Sequence, residues 1–118
     1  MWYVFDNGGI SLEADYPYKA IDDSCFAPYN GPVTVSTVHS VKSYDQNQLM
    51  AALAQGPVSV TVDADSTQFR NYKSGVITSS DCGTKLDHAI TAVGYGTDED
   101  GNDFYMVRNS WGTVYGDN

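Results

Sequence analysis

The sequence predicts an all-β or α+β fold, on three observations. One segment carries the signals of an amphipathic helix, several others read as extended strands, and the last two strands are joined by a short polar tip that makes them an antiparallel pair. The 118 residues suffice for one modest domain, and no low-complexity tract, repeat or proline-rich linker marks an internal boundary.

Residues 1–31 are rich in turn formers (Asn7-Gly8-Gly9, Tyr16-Pro17-Tyr18, Asp22-Asp23-Ser24, Asn30-Gly31-Pro32) and read as an irregular crossing segment. Residues 33–43 carry Val33, Val35, Val38 and Val41 among small polar residues, which predicts a strand with one irregularity. A helix follows near 46–55: Asp45 caps it, Leu49, Met50 and Leu53 form its apolar stripe, and Gly56-Pro57 stops it. Strict alternation over residues 57–62 gives a strand with one valine face. Phe69 to Tyr72 fits one helical turn closed by Gly75. Strands are expected from His88 to about Gly96 and from Phe104 to Asn109, with Asp100-Gly101 as a hairpin signal between them.

Charge and composition narrow the function classes. Fifteen acidic against six basic residues leave a net charge of −9, which disfavours nucleic acid, whose phosphates need clustered Lys and Arg, and equally an anionic membrane surface. No apolar run approaches the roughly 20 residues of a membrane span, so no membrane insertion is expected. The opening residues have no basic n-region and long apolar stretch, hence no secretory signal is read there. Two cysteines cannot build a dense disulfide framework; they allow one bridge or two half-bridges.

The hairpin carries a geometric expectation about chemistry. With its turn centred near residues 99–100, paired positions sum to about 199, so Asn109 lies opposite Ile90 and His88 opposite Trp111. Asn109 and His88 then share a face on a diagonal of roughly 7–8 Å, within side-chain reach; a bulge would shift this by one residue. An asparagine oxygen beside a histidine accepts from one ring nitrogen, fixes the tautomer and leaves the other nitrogen for a nucleophile.

The local sequences add a resemblance. Leu86-Asp87-His88-Ala89 running into Ala92-Val93-Gly94-Tyr95-Gly96, and Arg108-Asn109-Ser110-Trp111-Gly112, strongly resemble the papain-like (cathepsin L type) cysteine peptidases. Asn7-Gly8-Gly9-Ile10, Glu13 to Tyr18, Gln55 to Val60, Phe69 to Gly75 and Cys82-Gly83 match the same family in the same order, so the resemblance covers essentially the whole chain. It implies an α+β fold: the β-rich, antiparallel, partial-barrel half of the papain-like fold, with one main helix near 46–55. It implies His88 as the catalytic histidine, Asn109 as its orienting partner and Trp111 as the shield of their hydrogen bond. Tyr115 stands where the family usually has a second tryptophan. Thr61, Leu86, Asp87 and Ala89 fall where the family builds part of an apolar S2-like substrate pocket.

The resemblance also implies what is missing. The family's nucleophile lies in a Cys-Gly-Ser-Cys-Trp type motif behind an oxyanion-hole glutamine, and neither motif occurs here. Cys25, within Asp23-Ser24-Cys25-Phe26-Ala27, and Cys82, after Asp81, match family positions that form disulfides with cysteines this chain lacks, so two unpaired thiols are expected. Met1 falls near the end of a helix in the family's first half, and the last residues stop before its closing strands. The expectation is therefore a partial domain over 1–118, without the cysteine-bearing half and inactive alone. A peptide or protein is the expected substrate once such a half complements it, and self-association through exposed surface is expected otherwise. The alternative is a truncated homologue acting as a binding or decoy module. Lysosomal, vacuolar or extracellular location follows from the resemblance alone.

No cofactor and no metal are expected. Asp98 to Asp103 lacks calcium-loop spacing, and His39 has no second ligand at a metal-binding interval, which leaves it a structural or surface role. No Asn-X-Ser/Thr acceptor is present.

Overall fold

A computed structural model describes residues 1–26, 31–78, 80 and 82–117. Ala27, Asn30 and Asp81, which belong to motifs quoted above, lie outside the described residues. The chain divides into two units, Met1–Ser40 and Val41–Asn118.

In the first unit, α1 (Trp2–Asp6) is a single short helix. It ends at Asn7, whose side-chain amide donates to the Tyr3 carbonyl at 2.8 Å. The remainder is irregular, as its turn formers predict. Ile10 and Val33 form an isolated antiparallel bridge, with Ile10 N–H donating to the Val33 carbonyl at 2.9 Å. Gly9 and Gly31 make that approach possible: a Cβ on Gly9 would run into the Gly31 carbonyl, and one on Gly31 into the Ile10 carbonyl.

The strand expected over 33–43 does not form; Val33 takes part only in the bridge. The valines explain it. Val35, Val38 and Val41, all half-buried, recur every third residue, whereas one face of a strand repeats every second.

The second unit holds five elements: α2 (Gln46–Leu53), β1 (Val58–Val62), α3 (Thr67–Arg70), β2 (His88–Thr97) and β3 (Asp103–Arg108). Asp45 caps α2 as expected, its carboxylate accepting from Gln48 N–H at 3.0 Å. Leu49 and Met50 are half-buried and Leu53 buried, so the apolar stripe is the inward one, and α2 lies against β2. Ser66 caps α3 through Phe69 N–H at 3.3 Å, which starts that turn two residues before the expected Phe69.

The strands form an open antiparallel sheet in the order β1-β2-β3, consistent with part of a barrel. Val58, Val60 and Val62 turn inward along β1 while Ser59 and Thr61 face out. The core gathers Ala64, Phe69 and Ile90, with Val60, Val62, Ile77 and Tyr115 packed against them.

The hairpin turn is centred one half-step beyond the expected point. From Thr97↔Asp103 to Gly94↔Met106 the pairs sum to 200, and at Ala92↔Val107 and Thr91↔Arg108 they sum to 199. A bulge at Val93 absorbs the difference. The expected register therefore holds at the base of the hairpin, where His88 and Asn109 sit.

Candidate active site

β2 begins at His88 and β3 ends at Arg108, so the two candidate residues occupy the open end of one hairpin. His88 pairs with Val62 across β1, at the rim of the core face. Its Nε2 lies 2.9 Å from Asn109 Oδ1, and both residues are half-buried.

The same Asn109 oxygen accepts from Ser110 N–H at 2.8 Å. That backbone donor identifies the atom as oxygen, since an amide nitrogen has no acceptor to offer it. His88 Nε2 must then carry its proton and donate, which leaves the Nδ1 lone pair as the free basic position of the neutral ring. The Ser110 N–H had no signal in the sequence, because its role follows from the local turn after β3 rather than from its side chain.

Trp111 lies over the pair. Its indole stacks on the imidazole with ring centroids 5.1 Å apart and an interplanar angle of 26°. Its edges meet Phe69 at 5.6 Å and Tyr115 at 4.9 Å. One side of the His88 ring is thereby covered by apolar surface, which strengthens a hydrogen bond by excluding competing water. Tyr115 fills its place with a phenol, whose hydroxyl donates to the Phe69 carbonyl at 2.6 Å. Burial raises the Tyr115 phenol above the ordinary tyrosine range, against an opposing influence of the Asn109 amide.

The four remaining candidates divide. Thr61 and Ala89 are directly opposed in the β1–β2 register, hence on one face, and both are exposed. That face is the reverse of the one carrying Val62 and His88. Leu86 stands 62% exposed just before β2, an apolar side chain presented to solvent. Asp87 is braced instead: its Oδ1 accepts from Ala64 N–H at 2.8 Å and its own N–H donates to the Val62 carbonyl at 3.1 Å. Asp63 adds a second brace by accepting from Lys85 N–H at 2.9 Å. Two aspartates from opposite segments thus tie residues 85–87 to residues 62–64 directly ahead of His88. Asp63 was not singled out in the sequence, as a bond spanning 22 residues leaves no local pattern.

Cys25 and Cys82 are both free and exposed. Among the described residues no three His, Cys, Asp or Glu side chains are grouped to hold a metal ion. No helix of the described residues is long and apolar enough to cross a membrane.

Comparison with known proteins finds relatives over nearly the whole chain. The family model described as papain family cysteine protease matches residues 1–118. A cathepsin L-like peptidase of Aedes aegypti is 46% identical over 118 residues, which cover 98% of this chain and 35% of that protein. The senescence-specific cysteine protease SAG39 of Oryza sativa subsp. indica is 43% identical over 116 residues, covering 98% and 34%. The bromelain protease from Ananas comosus, solved in complex with the E64 inhibitor, superposes with a TM-score of 0.83 at 36% identity, over 98% of this chain and 53% of that one. The chain spans about a third of the length of these curated relatives.

Proposed function

The chain belongs to the papain family of cysteine proteases, and on that premise we propose that it is part of a cysteine endopeptidase, with His88 as general base and Asn109 as its orienting partner. The observation that carries this reading is the 2.9 Å bond from His88 Nε2 to Asn109 Oδ1, which leaves Nδ1 as the basic nitrogen.

The chemistry follows from that tautomer. Nδ1 takes the proton of a cysteine thiol, and the thiolate attacks the scissile carbonyl. The C–N bond breaks as the imidazolium returns its proton to the leaving amine. Water then hydrolyses the thioester, with Nδ1 again accepting the proton. Asn109 keeps Nε2 protonated throughout, and Trp111 shields their bond. Thiol, imidazole and water suffice, so neither metal nor cofactor enters the step.

The thiol must come from a cysteine-bearing segment other than the surroundings of Cys25 and Cys82, since neither sequence context matches the nucleophile motif. We therefore assign no peptidase activity to these 118 residues alone. Leu86, exposed just ahead of His88, would favour an apolar substrate side chain, whereas Thr61 and Ala89 lie on the opposite face of the β1–β2 pair from His88. Family membership supports a lysosomal, vacuolar or secreted setting. The competing reading is a non-catalytic module that binds peptide.

Complementation separates the two. The chain is mixed with a papain-family segment carrying the nucleophilic cysteine, and hydrolysis of a fluorogenic peptide is measured. Turnover that requires both parts and disappears with His88→Ala supports the endopeptidase reading. Stable association of the parts with no turnover supports the binding module. Hydrolysis by the chain alone, blocked by alkylating Cys25 or Cys82, overturns the assignment of the thiol to another segment.

A further inference from the structure

We propose that Tyr115 is a positioning residue for the His88–Asn109 pair, its hydroxyl locking the turn that holds Trp111 on the histidine ring. The proposal rests on the reading of His88 and Asn109 given above and adds a residue to it.

The argument begins with what fixes Trp111. Its indole is 40% exposed and lies beyond the end of β3, so no sheet ladder restrains it. It is held by ring contacts with Phe69, His88 and Tyr115. Ring contacts of this kind tolerate sliding, because each atom pair contributes little and the edge-to-face minimum is broad. A directional bond is needed to set the position, and Tyr115 supplies it.

The Tyr115 hydroxyl reaches across 46 residues of sequence to the Phe69 carbonyl at 2.6 Å. Phe69 is a core residue, 9% exposed, in the last turn of α3. The Phe69 carbonyl also accepts from Tyr72 N–H at 3.3 Å, so the phenol takes the second lone pair of an oxygen already fixed by the chain just past α3. The phenol therefore anchors on a rigid point that is itself in edge contact with Trp111. The other end of the turn is closed by Tyr115 N–H to the Gly112 carbonyl at 3.4 Å, with Gly112 at φ +81°. Residues 111–115 thus form a short arch with one foot at the end of the hairpin and the other on α3. The Trp111 indole is the keystone between His88 and Phe69.

A residue of the family's usual type at this position would fill the space without a phenol oxygen. Tyr72 provides an internal contrast. Its hydroxyl also donates to a backbone carbonyl, that of Gly75 at 2.7 Å, and its ring lies 6.0 Å from Tyr115. Among the described residues its ring meets that of Tyr115 and neither Trp111 nor His88.

The test uses the full chain with ¹⁵N-labelled histidine and reads the His88 Nε2 proton by NMR. The ring ¹⁵N shifts of His39, an exposed histidine remote in sequence from the arch, serve as the reference. Tyr115→Phe retains the ring and removes the lock. The expected result is a rise of about five- to tenfold in exchange of the His88 Nε2 proton with water, the scale of one neutral hydrogen bond. His39 should be unchanged, and Tyr72→Phe should leave His88 exchange within about twofold of wild type. Exchange unchanged in Tyr115→Phe overturns the proposal while leaving the His88–Asn109 pair intact. Equal acceleration by Tyr72→Phe also overturns it, by reducing the effect to general loosening. Absence of a protected His88 Nε2 proton in the wild-type chain overturns the pair itself, and Tyr115's role with it.

Discussion

Asn109 places two donors on one oxygen, and this shared acceptor is what makes the histidine chemically definite. Ser110 N–H holds the amide in orientation, and the amide in turn holds the imidazole as its Nε2–H tautomer. Asn109→Ala should therefore release the ring rather than unfold the hairpin, because Asn109 lies past the last ladder pair of β3. The expected outcome is loss of the protected Nε2 proton and a mixed tautomer in the ¹⁵N spectrum. In a complemented enzyme, turnover should fall on the order of tenfold to a hundredfold with little change in KM, since the ring is misoriented rather than removed. Unchanged ¹⁵N shifts would contradict this. The meeting of His88 and Asn109 was legible in the sequence because strand alternation is a strong rule. The turn centre was misplaced by half a step, and the bulge, allowed for in the sequence but not located, falls at Val93; the two displacements cancel at the base of the hairpin. The lock between Tyr115 and Phe69 was not legible, because nothing in a sequence reports which of nine tyrosines reaches a given carbonyl.

At the scale of elements, the hairpin tip shows a polar loop built by one carboxylate. Asp98 Oδ1 accepts from Asn102 N–H at 2.7 Å and from Asp100 N–H at 3.1 Å, and its Oδ2 accepts from the Asn102 side chain at 2.9 Å. These bonds, the Asn102 side chain first, hold the Asp98 carboxyl below the ordinary aspartate range. A carboxyl lowered by folding contributes stability above its unfolded pKa of about 3.9 and loses it as pH falls through the folded value. The tip should therefore stay ordered through pH 4 and loosen only at lower pH, with the Asn102 and Asp100 amides shifting together in an acid titration. Asp98→Asn should abolish that joint transition. The polar run 98–103 was rightly read as a solvated tip, since Asp and Asn bonding their own backbone is a local habit. The segment after Val33 was misread for the opposite reason. Its β-branched composition favours strand, but its every-third-residue spacing and lack of a ladder partner decide the outcome, and propensity yields to pairing.

For the whole chain, the decisive quantity is surface. Two compact bodies the size of its two units, sharing no surface at all, would expose about 7,500 Å² in total by the usual scaling of area with mass. The chain exposes 9305 Å², an excess of about 1,800 Å², comparable with the total area buried in an ordinary protein–protein interface. Among the described residues only Leu53, Ala64, Phe69, Ile90 and Ala92 form the buried apolar core, whereas Val93 and Tyr95 on the central strand β2 and Tyr105, Met106 and Val107 on the edge strand β3 stand exposed. β3 also presents an unpaired edge. Exposed apolar side chains beside an open strand edge favour pairing with another chain, and the net charge of −9 opposes it only over roughly a Debye length, about 10 Å at 0.1 M salt. The isolated chain is thus expected to self-associate, more strongly as salt rises, because screening removes the repulsion and leaves the apolar attraction. Sedimentation velocity across salt concentration checks this: a weight-average mass that climbs with both protein and salt is the expected result. A single species at the 12.8 kDa monomer mass throughout would contradict it. Charge placed on the exposed strand should act in the same assay. Met106→Lys and Val107→Glu, on the strand with the free edge, should each shift the distribution toward monomer while leaving the His88 Nε2 proton protected, because neither side chain belongs to the cluster of His88, Asn109, Trp111 and Tyr115.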